Sequence, residues 1–194
     1  PIMPETLDSL RQDHRNFSRL LTILEQELAL FDRAERPDYD IIQAVIDYFR
    51  EYPERCHHPK EDVVMRRLAQ VDPDAAQKVG DLESEHQENT RRVENAAQAI
   101  QNVLNEQEIP RETVENVIRS FIADQRRHMS MEEDRFFPVA RERLSDEDWA
   151  AVDREAVEHE DPIFEGTVED RFRELAQRIS YWEAEDQSAR RSKS

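Results

Sequence analysis

The sequence predicts an all-α fold: an up-down-up-down four-helix bundle made of two copies of one helical hairpin, with further helices after it. Three observations lead there. The 194 residues include only 2 Gly and 9 Pro, and are rich in Glu, Arg, Ala, Gln and Leu, which favour helices. Apolar residues recur at alternating steps of three and four, the signature of one buried helix face. Two stretches of the chain share that pattern at a nearly constant offset. His14 and His86 lie 72 positions apart, His57 and His128 lie 71 apart, and so do Glu61 and Glu132.

The first helix is expected from about Pro4 to Phe31, with Leu7, Leu10, His14, Phe17, Leu21, Leu24, Leu28 and Phe31 along one seam. His14 stands where a core residue belongs. The second helix should begin near Asp38 and turn Ile42, Ile46 and Phe49 inward. These match Val114, Ile118 and Phe121 at an offset of 72, which drops to 71 by His57. Pro53 lies in that interval and Pro59 just after it, so a kink or bulge is expected immediately before His57. The third helix repeats the first, with Val79, Leu82, His86, Asn89, Val93, Ala96, Ile100 and Val103 inward. Asp74 with Gln77 resembles an N-cap pair that would start it. Pro110 suits the first position of the fourth helix. Ser145 with Asp148 resembles a capping box for a short helix over 146–158. Pro162 is placed to open a last helix, running to about Glu183, with Phe164, Val168, Phe172, Leu175 and Ile179 on one face. The expected organisation is a bundle domain over 1–144, a helical extension over 145–185 that packs outside the bundle or against a partner, and a disordered tail over 186–194.

Charge and composition restrict the partners. The formal net charge of −18 repels phosphate backbones and anionic membranes, so neither nucleic acid nor a membrane surface is an expected partner. Cys56 is the single cysteine, which rules out an intramolecular disulfide. No secretory leader and no apolar run of about 18 residues is present, so a cytoplasmic location is expected. A homodimer or a protein partner through the carboxy-terminal helices is compatible with this composition.

Chemistry concentrates in two His-x3-Glu motifs. Residues four apart share a helix face, so His57 with Glu61, and His128 with Glu132, can each reach one point. His14 and His86 enter from the other two helices. Four imidazoles and two carboxylates directed into one bundle interior form a set suited to two metal ions. The nitrogen and oxygen donors suit Fe, Mn or Zn, and no thiolate is among them. His14 and His86 lie on apolar seams, so solvated helix faces do not account for the set. Burying such groups without partners would cost several kcal/mol, which leaves a metal, with a metal-free buried His–Glu network as the alternative.

His14, His57 within His-His-Pro-Lys-Glu, Glu61, His86, His128 and Glu132 resemble the His–His–Glu cation-binding signature of the hemerythrin-like superfamily, over roughly residues 5–142. The resemblance implies a non-haem di-iron centre, oxo- or hydroxo-bridged, that meets O2, nitric oxide or peroxide in sensing, storage or stress response. Mn or Zn could stand in for the two Fe ions. Two departures bear on function. Oxygen-carrying hemerythrins have a second histidine four residues after the third-helix ligand, where this chain has Thr90, and they end their fourth-helix motif in aspartate at a longer spacing than Glu132. The four-His, two-Glu pattern is similar to that of iron-sulfur-cluster repair proteins and iron-sensing hemerythrin domains. That keeps open a redox enzyme acting on O2, peroxide or nitric oxide, an iron donor or sensor, and an interaction module that metal only stabilises.

Some residues stay open. His58 and Asp62 repeat the i, i+4 spacing one position later, and a rotated helix would make them ligands in place of His57 and Glu61; otherwise His58 faces solvent or a nearby acid. His159 reads as a surface histidine. Cys56 is redox-sensitive if exposed and inert if buried. Tyr52 could reach a metal, although core packing is the simpler role. Tyr48, Trp149 and Trp182 carry only a packing signal.

Overall fold

A computed structural model describes residues 4–105 and 108–191 of the chain. The protein is all-helical. Helix α1 (Glu5–Asp32) runs antiparallel to α2 (Tyr39–Tyr52), which continues through a π-helical turn at Pro53–His57 into α3 (His58–Val71). A short α4 (Pro73–Val79) leads to α5 (Leu82–Leu104). Helix α6 (Arg111–Met131) continues through a second π-helical turn at Glu132–Phe136 into α7 (Phe137–Arg143). The four long rods α1, α2–α3, α5 and α6–α7 make the bundle. Helices α8 (Asp146–Glu155) and α9 (Arg173–Arg191) pack against it.

The π turns explain the broken offset. Each inserts one residue, and each lies just before a proline, Pro59 or Pro138. A proline inside an α-helix has no N–H to give and collides with the carbonyl four residues back. Widening the preceding turn, with His58 N–H bonded to Pro53 O and Phe137 N–H to Glu132 O, relieves the collision. In the second rod the extra residue comes before His57, so the offset falls from 72 to 71. In the fourth rod it comes at Glu132, after His128, and the offset returns to 72: buried Val64 and Leu68 match buried Phe136 and Ala140. The expected bulge before His57 is therefore present, and a second one restores the register.

Several expected boundaries differ. Asp74 and Gln77 do not start the third rod. Asp72 caps α4 through Ala75 N–H, and Asp81 caps α5 through Ser84 N–H, with Gly80 between them at φ +110°. Pro110 is the residue before the first turn of α6. The last helix opens at Arg173 after a 3-10 turn at Asp170–Phe172, because Asp161 folds the preceding segment into a turn: its carboxylate accepts Ile163 N–H, Phe164 N–H and the Tyr48 hydroxyl. Helix α9 also runs to Arg191, through positions expected to be a tail; of that expected tail, 192–194 lies outside the described residues. The capping box of Ser145 and Asp148 forms as expected.

Apolar side chains gather in two clusters along the rods. One holds Phe17, Leu21, Ile42, Ile46, Phe49, Ile100, Ile118 and Phe121, with Phe172, Leu175 and Ile179 of the extension. The other holds Leu7, Leu10, Val64, Leu68, Phe136 and Phe137, with Trp149 and Val152 of α8. On α1 the clusters stop at Leu10 and restart at Phe17, and the buried polar residues Asp13 and His14 fill the gap. The bundle thus carries a polar layer between two greasy ones. Helix α8 also closes the end of α1. Pro4 offers no side-chain cap, and the Asp153 carboxylate accepts Thr6 N–H at 2.9 Å and Glu5 N–H at 3.3 Å. Among the described residues no helix is long and apolar enough to cross a membrane.

Candidate metal centre

The polar layer brings all six sequence-predicted residues together. Glu61 and Glu132 lie at its centre with no solvent exposure at all, ringed by buried His14, His57, His86 and His128. Two groups of donor atoms form. His14, His57, Glu61 and Glu132 make one, and His58, His86 and His128 make the other; within each, the atoms lie within 4.8 Å of one another. The two carboxylates connect the groups. Glu61 Oε1 is 3.4 Å from His57 Nε2, and its Oε2 is 3.1 Å from His86 Nε2. Glu132 Oε2 is 3.2 Å from His14 Nε2, and its Oε1 is 3.0 Å from His128 Nε2.

These approaches are at ion-pair distance but lack hydrogen-bond geometry. Both oxygens of Glu61 and of Glu132, and the Nε2 atoms of His14, His57, His86 and His128, are buried with no hydrogen-bond partner. An orphaned buried polar atom costs about 1–3 kcal/mol, more if charged, so eight in one layer would be a heavy burden on a bundle of this size. Atoms that converge without hydrogen bonding each other are arranged around shared points, which is what ligands of a metal ion do. The donor set therefore fits a cation, and its character is nitrogen and oxygen. Cys56, although adjacent to His57, is buried outside both groups, and burial raises its thiol pKa, as in an inert cysteine.

Surrounding residues orient the imidazoles. Asp13 Oδ2 accepts from His57 Nδ1 at 3.0 Å, which leaves Nε2 aimed at Glu61. Asp13 is itself held by the buried Lys60 ammonium at 3.0 Å and the Tyr52 hydroxyl at 3.1 Å. Glu133 Oε1 accepts from His14 Nδ1 at 2.9 Å and is held by Arg11. A carboxylate on the far nitrogen selects the tautomer and fixes the ring, as it does for metal-bound histidines generally. Tyr52 thus acts on Asp13 and not as a metal donor in this geometry. The sequence carried no signal for Asp13 or Glu133: each is one position from a ligand-type residue and reads as an ordinary exposed acid.

The charges explain the proton affinities. Burial alone would depress the pKa of His57 and His86, but the nearby carboxylates, Glu61 and Asp13 for the first and Glu132 and Glu61 for the second, outweigh it and push both up to about 10. Burial and the charge of Glu132 would raise Glu61, yet the surrounding imidazoles win and hold it at about 2. Without a cation, the layer keeps its carboxylates ionised and recruits protons onto imidazoles instead.

His58 is the residue that sequence reasoning undervalued. It does not replace His57, and of the two other surroundings expected for it, solvent or a nearby acid, it meets the acid, Glu54. It is buried, and its ring stacks on His86 with centroids 3.9 Å apart and planes within 11°. Its Nδ1 approaches Glu54 Oε1 at 3.2 Å without hydrogen-bond geometry. Asp62, its expected partner, stays at the surface, 3.9 Å from His86 Nδ1. The π turn ending at His57 is the reason: it rotates the rod so that consecutive histidines both face the layer. Thr90 hydrogen-bonds His86 O and contacts Glu54, so its side chain is occupied elsewhere. His159 is exposed and belongs to neither group.

Two openings approach the layer. A cavity of about 200 Å3 beside His58 and His86 is rimmed by Glu54, Asp62 and Glu83. Another, of about 600 Å3, reaches His14 on the α1–α6 side and is lined by arginines.

The sequence description "Hemerythrin HHE cation binding domain" matches residues 5–140 of the chain. The chain belongs to this family. The matched span covers the bundle up to the last three residues of α7, and every donor residue named above. This hemerythrin-family protein is therefore a cation-binding helical bundle. No match to a curated protein or to a solved structure was found.

Proposed function

We propose that this hemerythrin-family protein holds two iron ions and uses them to bind, and so respond to, O2, nitric oxide or peroxide. His14 and His57 would hold one ion; His58, His86 and His128 would hold the other; Glu61 and Glu132 would bridge them. The observation that carries this reading is the pair of donor groups sharing two fully buried carboxylates whose oxygens have no hydrogen-bond partner. Mn or Zn would fit the same nitrogen and oxygen donors, and iron is chosen because the family resemblance implies it. A pair of irons supplies one- and two-electron chemistry toward small oxidants.

The chain's own residues would then divide the work. The two imidazole sets are unequal: His58, His86 and His128 would serve one ion, and His14 and His57 the other. With fewer protein donors, the side of His14 and His57 would be the one to admit an outside ligand. Phe17 and Phe137 pack on those two imidazoles, with ring centroids 5.0 Å from His57 and 5.3 Å from His14, and help hold the rings in place. Asp13 and Glu133 hold the two rings in place. The acidic rim of Glu54, Asp62 and Glu83 gives a cation an attractive approach to His58 and His86. His58 also bears on the departure at Thr90. The third imidazole that oxygen-carrying hemerythrins draw from the helix of His86 would here come from α3.

Metal content and the visible absorption spectrum of anaerobically purified protein, before and after air, test the proposal. About two irons per chain and a reversible spectral change with O2 or nitric oxide support it. Continuous consumption of oxidant in the presence of a reductant would make the protein an enzyme. A chain that purifies without metal and takes up none would overturn the reading altogether.

A further inference from the structure

The larger of the two openings reverses the charge of the molecule. In a chain of net charge −18, the cavity of about 600 Å3 on the α1–α6 side is lined by Arg11, Arg15, Arg19 and Arg126, with Glu133 the one carboxylate in its wall. Three of the arginines sit at i, i+4 spacing along one stripe of α1, and Arg126 faces them from α6. Their present partners are uneven. Arg19 pairs with Glu183 and Arg126 with Glu25, both from outside the cavity wall. Arg15 donates to the neutral Gln12 amide oxygen and has no carboxylate partner among the described residues. The cavity also has apolar surface, from Met129 and the arginine stems.

We infer that this cavity binds a small organic carboxylate, clamped by Arg15 and Arg126, and that its occupancy is felt at His14. Guanidinium forks match carboxylate oxygens in pairs, and the opposed stripe and α6 arginine would grip an anion from two sides. The Met129 surface suits a carbon skeleton better than a bare inorganic ion. The volume falls within the ordinary range for small-ligand sites. The coupling runs through groups already in contact. Arg11 holds Glu133 Oε2 at 3.3 Å, and Glu133 Oε1 accepts from His14 Nδ1 at 2.9 Å. A second anion competing for Arg11 loosens Glu133 and so changes the ring that faces Glu132. The binding site stands apart from the metal reading; only the consequence for a bound ion rests on it.

The test is calorimetric titration of the full chain with succinate at constant ionic strength, with and without metal, so that failure of the metal reading leaves it intact. Saturable binding with Kd below about 1 mM is expected, weakened tenfold or more in Arg15→Gln and in Arg126→Gln, each verified as folded by circular dichroism. Succinamide, of the same shape but uncharged, should give no heat. The His14 imidazole signal in the NMR spectrum of the metal-free chain should move as succinate saturates. Absence of saturable heat overturns the site. Inorganic phosphate binding as tightly as succinate overturns the organic-carboxylate assignment in favour of a general anion patch. A stationary His14 signal at saturation overturns the coupling.

Discussion

Replacing His58 by glutamine isolates the feature that most distinguishes this centre. His58 is buried, stacks on His86, and shares a donor group with His86 and His128. Glutamine is close in length and polar, so it fills the space without leaving a large cavity, yet it is a poor substitute for an imidazole donor. The group loses one of its three nitrogens. Removing only the residue that orients a metal ligand costs about 10–100-fold in affinity, and removing a ligand itself should cost at least the upper figure, about 2.7 kcal/mol or more at that ion. The group at His14 and His57 keeps all its donors. His58→Gln should therefore bind about one metal per chain where the parent binds about two, with the second seen only at high metal concentration. Because burial lowers the His58 pKa, the folded metal-free chain holds it neutral, so the substitution should change metal-free stability by only about 1 kcal/mol. Elemental analysis after dialysis, beside chemical denaturation of the metal-free chain, measures both quantities. His159→Gln, at an exposed position, serves as the comparison and should keep two. Two tightly held metals in His58→Gln would refute the argument that the π turn converts this histidine into a donor.

Metal uptake should release protons. His57 and His86 keep theirs until the pH approaches about 10 in the metal-free fold, the carboxylates of Glu132 and Glu133 raise His14 as well, and a metal needs these rings neutral, so binding at pH 8 should expel at least two protons and tighten as the pH rises toward 10. Calorimetry in buffers of different ionisation enthalpy reads that number, and a buffer-independent heat would contradict it. Asp13→Asn keeps an acceptor for His57 but removes the charge that holds it and Lys60. It should weaken metal binding about 10–100-fold and destabilise the metal-free chain by up to about 3 kcal/mol, because the buried Lys60 ammonium then keeps only the Ser9 hydroxyl and the exposed Glu158 carboxylate. Asp153→Ala uncaps α1 from a distance of nearly 150 residues. A loss of about 1 kcal/mol, read as a Tm drop of about 2–4 °C with metal content unchanged, is expected. An unaltered Tm would mean that water caps α1 equally well.

Much of this protein was legible in its sequence because the relevant signals are local. A helix face follows from periodicity, so the rods and the seam carrying His14 and His86 could be read directly. The four-His, two-Glu set followed from i, i+4 spacing and duplication, and all six residues meet in one layer. Even the bulge before His57 showed itself as a one-residue change in offset. What only the tertiary structure decided depends on rotation and on distant contacts. A π turn adds about 100° of helical phase, and neighbouring positions in the chain cannot reveal which way both His57 and His58 will then face. Asp13 and Glu133 became orienting groups because other helices press them against imidazoles. Asp153 became the cap of α1, and Asp161 the anchor of Tyr48, through pairings more than 100 residues apart. Sequence periodicity determines which face of each helix is buried; only the packed bundle determines which buried groups meet, because that depends on where each rod's phase stands when it reaches its neighbours.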